Sequence, residues 1–284
     1  MEDGKNMMNI KDVGRLDGIQ SQNIEEEVDK ALALLDANKE EEAIEKLEEL
    51  SKTSNYFVRE LVGKCMTKYQ YQNRISKIAD GMLEHRIYGI RAAAFFFFYN
   101  LYQDKPEKIV ELLEEHYNTV PYEVESIIYE MWRRHPNIMK ETLPKWLSSD
   151  NEKKRIVSFH GLELIADKDP NFVLEFLSQA LGDSSLEVQK KFTHILIQVV
   201  RSRPAEAYPY IREWIITGSE KRTRALLVSL KKIMSIYSQK GLKDKSADFM
   251  NLTRFVVNEW RNEQDKKLAS VGHKLAVYLK RESS

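Results

Sequence analysis

The sequence predicts an all-α fold, an α-solenoid of about six helical-hairpin repeats with a period of about 31–35 residues. Three observations lead there. The 284 residues are 42% hydrophobic and 31% charged, with only 11 Gly and 7 Pro, a helix-rich globular composition. Apolar residues recur at helical spacing, and sustained strand alternation and Gly-rich hairpin signals are scarce. Two sequence markers also return at the repeat period.

The first marker is a proline in a fixed context: Asp104-Lys105-Pro106, His135-Pro136, Asp169-Pro170 and Arg203-Pro204, at intervals of 30, 34 and 34. Proline suits the first turn of a helix, where its missing N–H is not needed. The second is a basic residue near a helix start: Arg59, Arg91, Arg155, Lys190 and Arg224, at intervals of 32, 64, 35 and 34, where 64 is two periods of 32. The markers interleave, so each repeat holds two helices. Turn segments separate them at Ser148-Ser149-Asp150-Asn151, Gly182-Asp183-Ser184-Ser185 and Thr217-Gly218-Ser219. Ser and Asp there can cap the following helix.

Taken in order, residues 1–23 are polar and without period, and read as a loose leader. Residues 24–284 read as a single helical-repeat domain. Ile24–Ala37 places Val28, Ala31, Leu32 and Leu35 on one helix face, and Glu40–Leu50 does the same with Ala43, Ile44, Leu47 and Leu50. Ala92–Tyr99 (AAAFFFFY) is too short to span a bilayer and reads as a central buried helix. The last pair, Ser246–Arg261 and Gln264–Lys280, drifts from the period and reads as a cap on the array. No heptad runs through the frequent turns, which excludes a coiled coil.

Composition also bounds the chemistry. One cysteine, Cys65, allows no internal disulfide and fits a cytoplasmic location. The first 16 residues lack a signal-peptide core, and no membrane segment is expected. The six histidines show no i, i+4 pair and no thiolate cluster exists, so no metal is expected. Phosphate-binding glycine loops and the GxSxG elbow are missing too, and no cofactor is expected. The formal charge of zero hides an asymmetry. Residues 1–50 carry 15 acidic and 6 basic groups, whereas residues 185–284 carry 10 acidic and 20 basic ones.

Basic residues recur along the later repeats: Lys153, Lys154 and Arg155; Lys190 and Lys191; Arg201 and Arg203; Lys221, Arg222 and Arg224; Lys231 and Lys232. Equivalent positions of stacked repeats line one surface. A stripe of cations there can track a phosphate backbone; the competing reading is an ordinary solvated helix face. Aromatics near helix starts, such as Tyr56, Tyr88 and Tyr122, suit either base stacking or hairpin packing.

Residues 83–235 resemble a known family. Leu143-Pro144-Lys145-Trp146-Leu147-Ser148-Ser149-Asp150-Asn151 is similar to the PKW-x-x-SDN segment of the AlkD-like DNA alkylation-repair glycosylases. Val124-Glu125-Ser126-Ile127 with Arg134-His135-Pro136 resembles that family's VDSI…KHP stretch. Ser184-Ser185, Gln189-Lys190, Arg203-Pro204 and Glu220-Lys221-Arg222 follow in the family's order.

The resemblance implies a HEAT-like fold, DNA (expected as duplex) in a concave cleft, and a site of Trp, Asp, Arg and Trp where alkylated bases are excised. Those positions fall at Pro121, Glu125, Arg155 and His194. Glu125 and Arg155 are then the catalytic candidates, while Pro121 and His194 replace both aromatic walls that would stabilise a cationic base. Lys153, Lys154, Arg155, Lys190, Lys191, Lys221, Arg222 and Arg224 are the candidate DNA contacts. The expected function is DNA binding without efficient base excision. An active alkylpurine glycosylase and a protein–protein scaffold stand as alternatives.

Overall fold

A computed structural model describes residues 14–238 and 245–282. They form helices and no strand. In order these are α1 (Gly18–Asp36), α2 (Glu40–Ser51), α3 (Tyr56–Met66), α4 (Gln72–Leu83), α5 (Tyr88–Leu101), α6 (Pro106–His116), α7 (Pro121–Arg134), α8 (Pro136–Leu147), α9 (Glu152–Val157), α10 (Pro170–Ala180), α11 (Leu186–Ser202), α12 (Pro204–Thr217), α13 (Glu220–Ser238), α14 (Lys245–Arg261) and α15 (Lys266–Glu282). A short 3-10 turn at Leu162–Leu164 follows α9. In chain order the described helices follow one another in pairs, α1 and α2 through α11 and α12, and then come three closing helices. Two compact units divide the chain, Met1–Met131 and Trp132–Ser284.

In the first unit, α1 starts earlier than the sequence suggests. Asp17 and Gln20 close a capping box: Asp17 Oδ1 accepts from the Gln20 N–H at 2.7 Å and Gln20 Oε1 from the Asp17 N–H at 3.0 Å. Residues 18–23 of the expected leader are therefore helical, and residues 1–13 of it lie outside the described residues. The apolar stripe of α1 is the expected one, with Val28, Ala31, Leu32 and Leu35 buried. Helix α5 is buried nearly all round, Arg91 excepted among residues 89–99. Its Phe95–Phe98 run packs against α3 and α4, and each ring removed from water contributes roughly 1.5–3 kcal/mol. Gly63 lets α3 approach that closely, because a Cβ there would lie 2.4 Å from the Ala93 carbonyl oxygen.

In the second unit, Pro136, Pro170 and Pro204 open α8, α10 and α12 at the first helical position, as Pro106 opens α6 in the first unit. Asn151 and Ser185 cap α9 and α11 by accepting backbone N–H groups. Helix α9 is broken after six residues. Gly161 sits at φ 79° with the Trp132 indole against it, and Trp132 Nε1 donates to the His160 carbonyl at 3.2 Å. The closing helices α14 and α15 pack together, and α15 also packs on α12 and α13. They bury Val257, Trp260, Leu268, Val271 and Leu275.

Candidate nucleic-acid interface

The expected DNA contacts lie near the N-terminal ends of α9, α11 and α13, three helices that pack in series in the second unit. Lys153, Lys190, Lys221, Arg222 and Arg224 are exposed; Lys154 and Lys191 are half-buried. The Lys154 ammonium lies 5.9 Å from the centre of the Trp146 ring. Lys190 pairs with Glu187 at 2.6 Å and Arg224 with Glu220 at 2.5 Å, both on the solvated surface. Such pairs are worth about 0–1 kcal/mol and yield readily to another anion. The backbone N–H groups at these helix ends add positive potential.

Arg155 is placed differently. Its side chain is only 15% exposed. Nε and Nη2 grip Asp183 Oδ2 and Oδ1 at 2.8 and 3.2 Å, and Nη1 donates to the carbonyls of Ser149 and Asp150 at 2.9 and 3.0 Å. Its guanidinium holds the start of α9 to the turn before α11. His194, on α11, is exposed. Pro121 and Glu125 belong to the first unit, where Pro121 is the exposed first residue of α7 and Glu125 is half-buried one turn on.

The geometry also explains the arginine marker. Arg59 Nη1 donates to the carbonyls of Thr53 and Ser54, and Arg91 Nη1 to those of His85 and Arg86. Arg155 does the same with Ser149 and Asp150, so each arginine bonds the turn five and six residues before it. Each is the fourth residue of its helix. In α11 the fourth residue is Gln189, not Lys190, and its amide donates to the Asp183 carbonyl, six residues back, at 2.6 Å. In α13 it is Thr223, not Arg224. Lys190 and Arg224 are thus one residue out of phase with the marker and point to solvent.

In the first unit a buried polar cluster joins α3, α5 and α7. Arg59 Nη2 meets Glu123 Oε1 at 2.6 Å, with side chains 1% and 0% exposed. The Tyr88 hydroxyl donates to the other oxygen of Glu123, and its ring lies 5.5 Å from the Arg59 guanidinium carbon and 5.7 Å from that of Arg91. Burial and then the Glu123 charge push the Tyr88 phenol pKa up, so it stays a proton donor. Tyr56 is likewise pushed up to about 12, chiefly by burial, and bonds Ser126 at 2.8 Å. Tyr56 and Tyr88 therefore serve packing, while Tyr122 stays 64% exposed. From sequence, Glu123 stands with Glu125 only as one of many carboxylate pairs and is not marked as buried. Its signal was its place 32 residues after Arg91 and 32 before Arg155.

Among the described residues no group of His, Cys, Asp or Glu could hold a metal ion, and no helix is long and apolar enough to cross a membrane.

A family model described as DNA alkylation repair enzyme matches residues 52–232, more than half of the chain. No curated protein matches. Among solved structures, an engineered protein aligns at 14% identity over 95% of this chain and 77% of its own, with a TM-score of 0.30. An archaeal HEAT-like repeat protein from Thermococcus onnurineus NA1 aligns at 13% identity over 95% and 100%, with a TM-score of 0.25. A designed armadillo repeat protein in complex with peptide (KR)4 aligns at 12% over 90% and 99%, with a TM-score of 0.24. Superpositions that loose carry no weight, and the repeat class rests on the helix order itself.

Proposed function

Because the chain belongs to the DNA alkylation repair enzyme family, we propose that it binds duplex DNA through the cations of α9, α11 and α13 and does not excise bases efficiently. The observation that carries the binding is the exposure of Lys153, Lys190, Lys221, Arg222 and Arg224 on three helices packed in series. Cations so arranged release counterions from a phosphate backbone when they meet it. The weak excision is supported by Arg155, whose guanidinium is already spent on Asp183 and two carbonyls. Proline at 121 offers no ring to an alkylated, positively charged base, and an imidazole at 194 offers a poorer one than indole. Cytoplasmic residence belongs to the same reading, supported by the lone Cys65.

Anisotropy of a labelled duplex, titrated across salt concentrations, tests this. Binding should weaken steeply with salt. Lys221→Glu with Arg222→Glu should lower the log–log slope by about 1 for each phosphate that is no longer neutralised. Flat or absent binding at low salt overturns the proposal. Alkylated DNA should lose bases at the spontaneous rate; faster release that is abolished by Glu125→Gln would establish the glycosylase instead.

A further inference from the structure

A second feature of α11 and α13 is apolar. Between them runs a groove of about 240 Å³, walled by Leu181, Leu186, Phe192, Ala225 and Val228 and edged by Lys190 and Lys232. Leu186 is 66% and Val228 68% exposed, two of only seven large hydrophobic residues so exposed among the described residues. The groove-lining residues follow helical spacing, Leu186, Lys190 and Thr193 on α11 and Ala225, Val228 and Lys232 on α13; Lys221, one turn before Ala225, continues the α13 stripe beyond the groove. The α13 stripe therefore has an apolar centre and a cation at each end, about 16 Å apart along three helical turns.

The floor decides the class of occupant. Thr193 and Ser229 hydroxyls bond each other at 2.8 Å and their own helix carbonyls at Gln189 and Ala225. The Gln189 amide is given to Asp183. The floor hydroxyls are thus already hydrogen-bonded within the protein, and Phe192 is only 4% exposed, so no ring is offered for stacking. Aliphatic walls suit an aliphatic anchor. Lys221 and Lys232 take part in no ion pair found among the described residues, and the Glu187 partner of Lys190 is itself at the surface. Charge complementarity then calls for carboxylates at both ends of the occupant.

We propose that this groove docks an acidic amphipathic helix of a partner protein, an aliphatic side chain seated between Leu186 and Val228 and carboxylates meeting Lys190, Lys221 and Lys232. The proposal goes beyond DNA binding: it shares Lys190 and Lys221 with the proposed phosphate contacts, and Leu186 and Val228 distinguish the two. The test uses the full chain and a fluorescein-labelled synthetic helix of about 16 residues, with leucines along one face and glutamates at both ends. A peptide of the same charge with serine for leucine, and a labelled single-stranded oligonucleotide, are run beside it.

The leucine peptide should bind. The serine peptide and the Leu186→Asp/Val228→Asp variant should each weaken that binding at least about tenfold. Both replaced side chains are exposed, so circular dichroism should be unchanged. Lys232→Glu, read in parallel, should also weaken the leucine peptide. No binding, equal binding of the serine peptide, or an oligonucleotide that alone depends on Leu186 and Val228 overturns the proposal.

Discussion

At position 123 a carboxylate stands where the repeats on either side carry arginine. Arg59, Arg91 and Arg155 each clamp their own turn from the fourth position of a helix, while Glu123, the third residue of α7, receives Arg59 from two repeats earlier. Both charges are fully buried, so neither can be left alone. Glu123→Gln should cost about 3–5 kcal/mol in denaturant unfolding, because Arg59 then keeps its charge without a counterion. Adding Arg59→Met should recover part of that loss; full additivity of the two changes would mean that the pair is not coupled. Arg155 permits a sharper test of structure against function. Its bonds to a charged partner are worth about 1.5–3 kcal/mol, so Arg155→Ala should lower stability by that much and leave the salt slope of DNA binding unchanged. A lower slope at unchanged stability would mean that Arg155 neutralises a phosphate instead.

At the scale of the element, each helix is specified by its first turn and its apolar stripe, and those were the legible parts. Prolines at 106, 136, 170 and 204 fell at helix starts, and the stripe of α1 was buried as its spacing required. The start of α1 was misjudged because its cap is a reciprocal bond between Asp17 and Gln20, which composition does not announce. The break in α9 was not legible either. Helix α9 ends at Val157, and the turn that follows carries Gly161 at φ 79° beside Trp132, a tertiary contact that no local pattern announces. Basic residues at helix starts were visible, but their roles turn on a single residue of phase, which separates Gln189 from Lys190. The groove between α11 and α13 could not be foreseen, since it needs two helices brought side by side.

Helix α6 gives a pH test at this scale. Its last residue, His116, packs against Phe95, and burial holds the imidazole pKa below its ordinary 6.5. The unfolded chain therefore takes up the proton first as pH falls. Stability is full above 6.5 and declines below it until the folded imidazole also titrates. His116→Gln should flatten that part of the stability–pH curve in urea melts; an unchanged curve would assign the slope to other groups.

For the whole molecule, charge is the property that an approaching polyanion would meet first. The chain is neutral overall, yet residues 1–50 hold 15 acidic and 6 basic groups and residues 185–284 hold 20 basic and 10 acidic ones. Glu40, Glu41 and Glu42 sit together in the exposed first turn of α2. Their summed field acts on an approaching polyanion at long range, without contact and whatever the path of the duplex. Replacing all three by Gln gives the molecule a net charge of about +3 and removes part of that repulsion. Association with duplex DNA should speed up at low ionic strength. The gain should fade as the screening length drops from about 10 Å at 0.1 M salt to about 3 Å at 1 M. Stopped-flow association rates at several salt concentrations read this directly. A gain that persists at high salt would mean that the glutamates occupy the contact itself. No gain at any salt would mean that the acidic end does not modulate DNA binding, and that the lysines and arginines of α9, α11 and α13 govern the encounter alone.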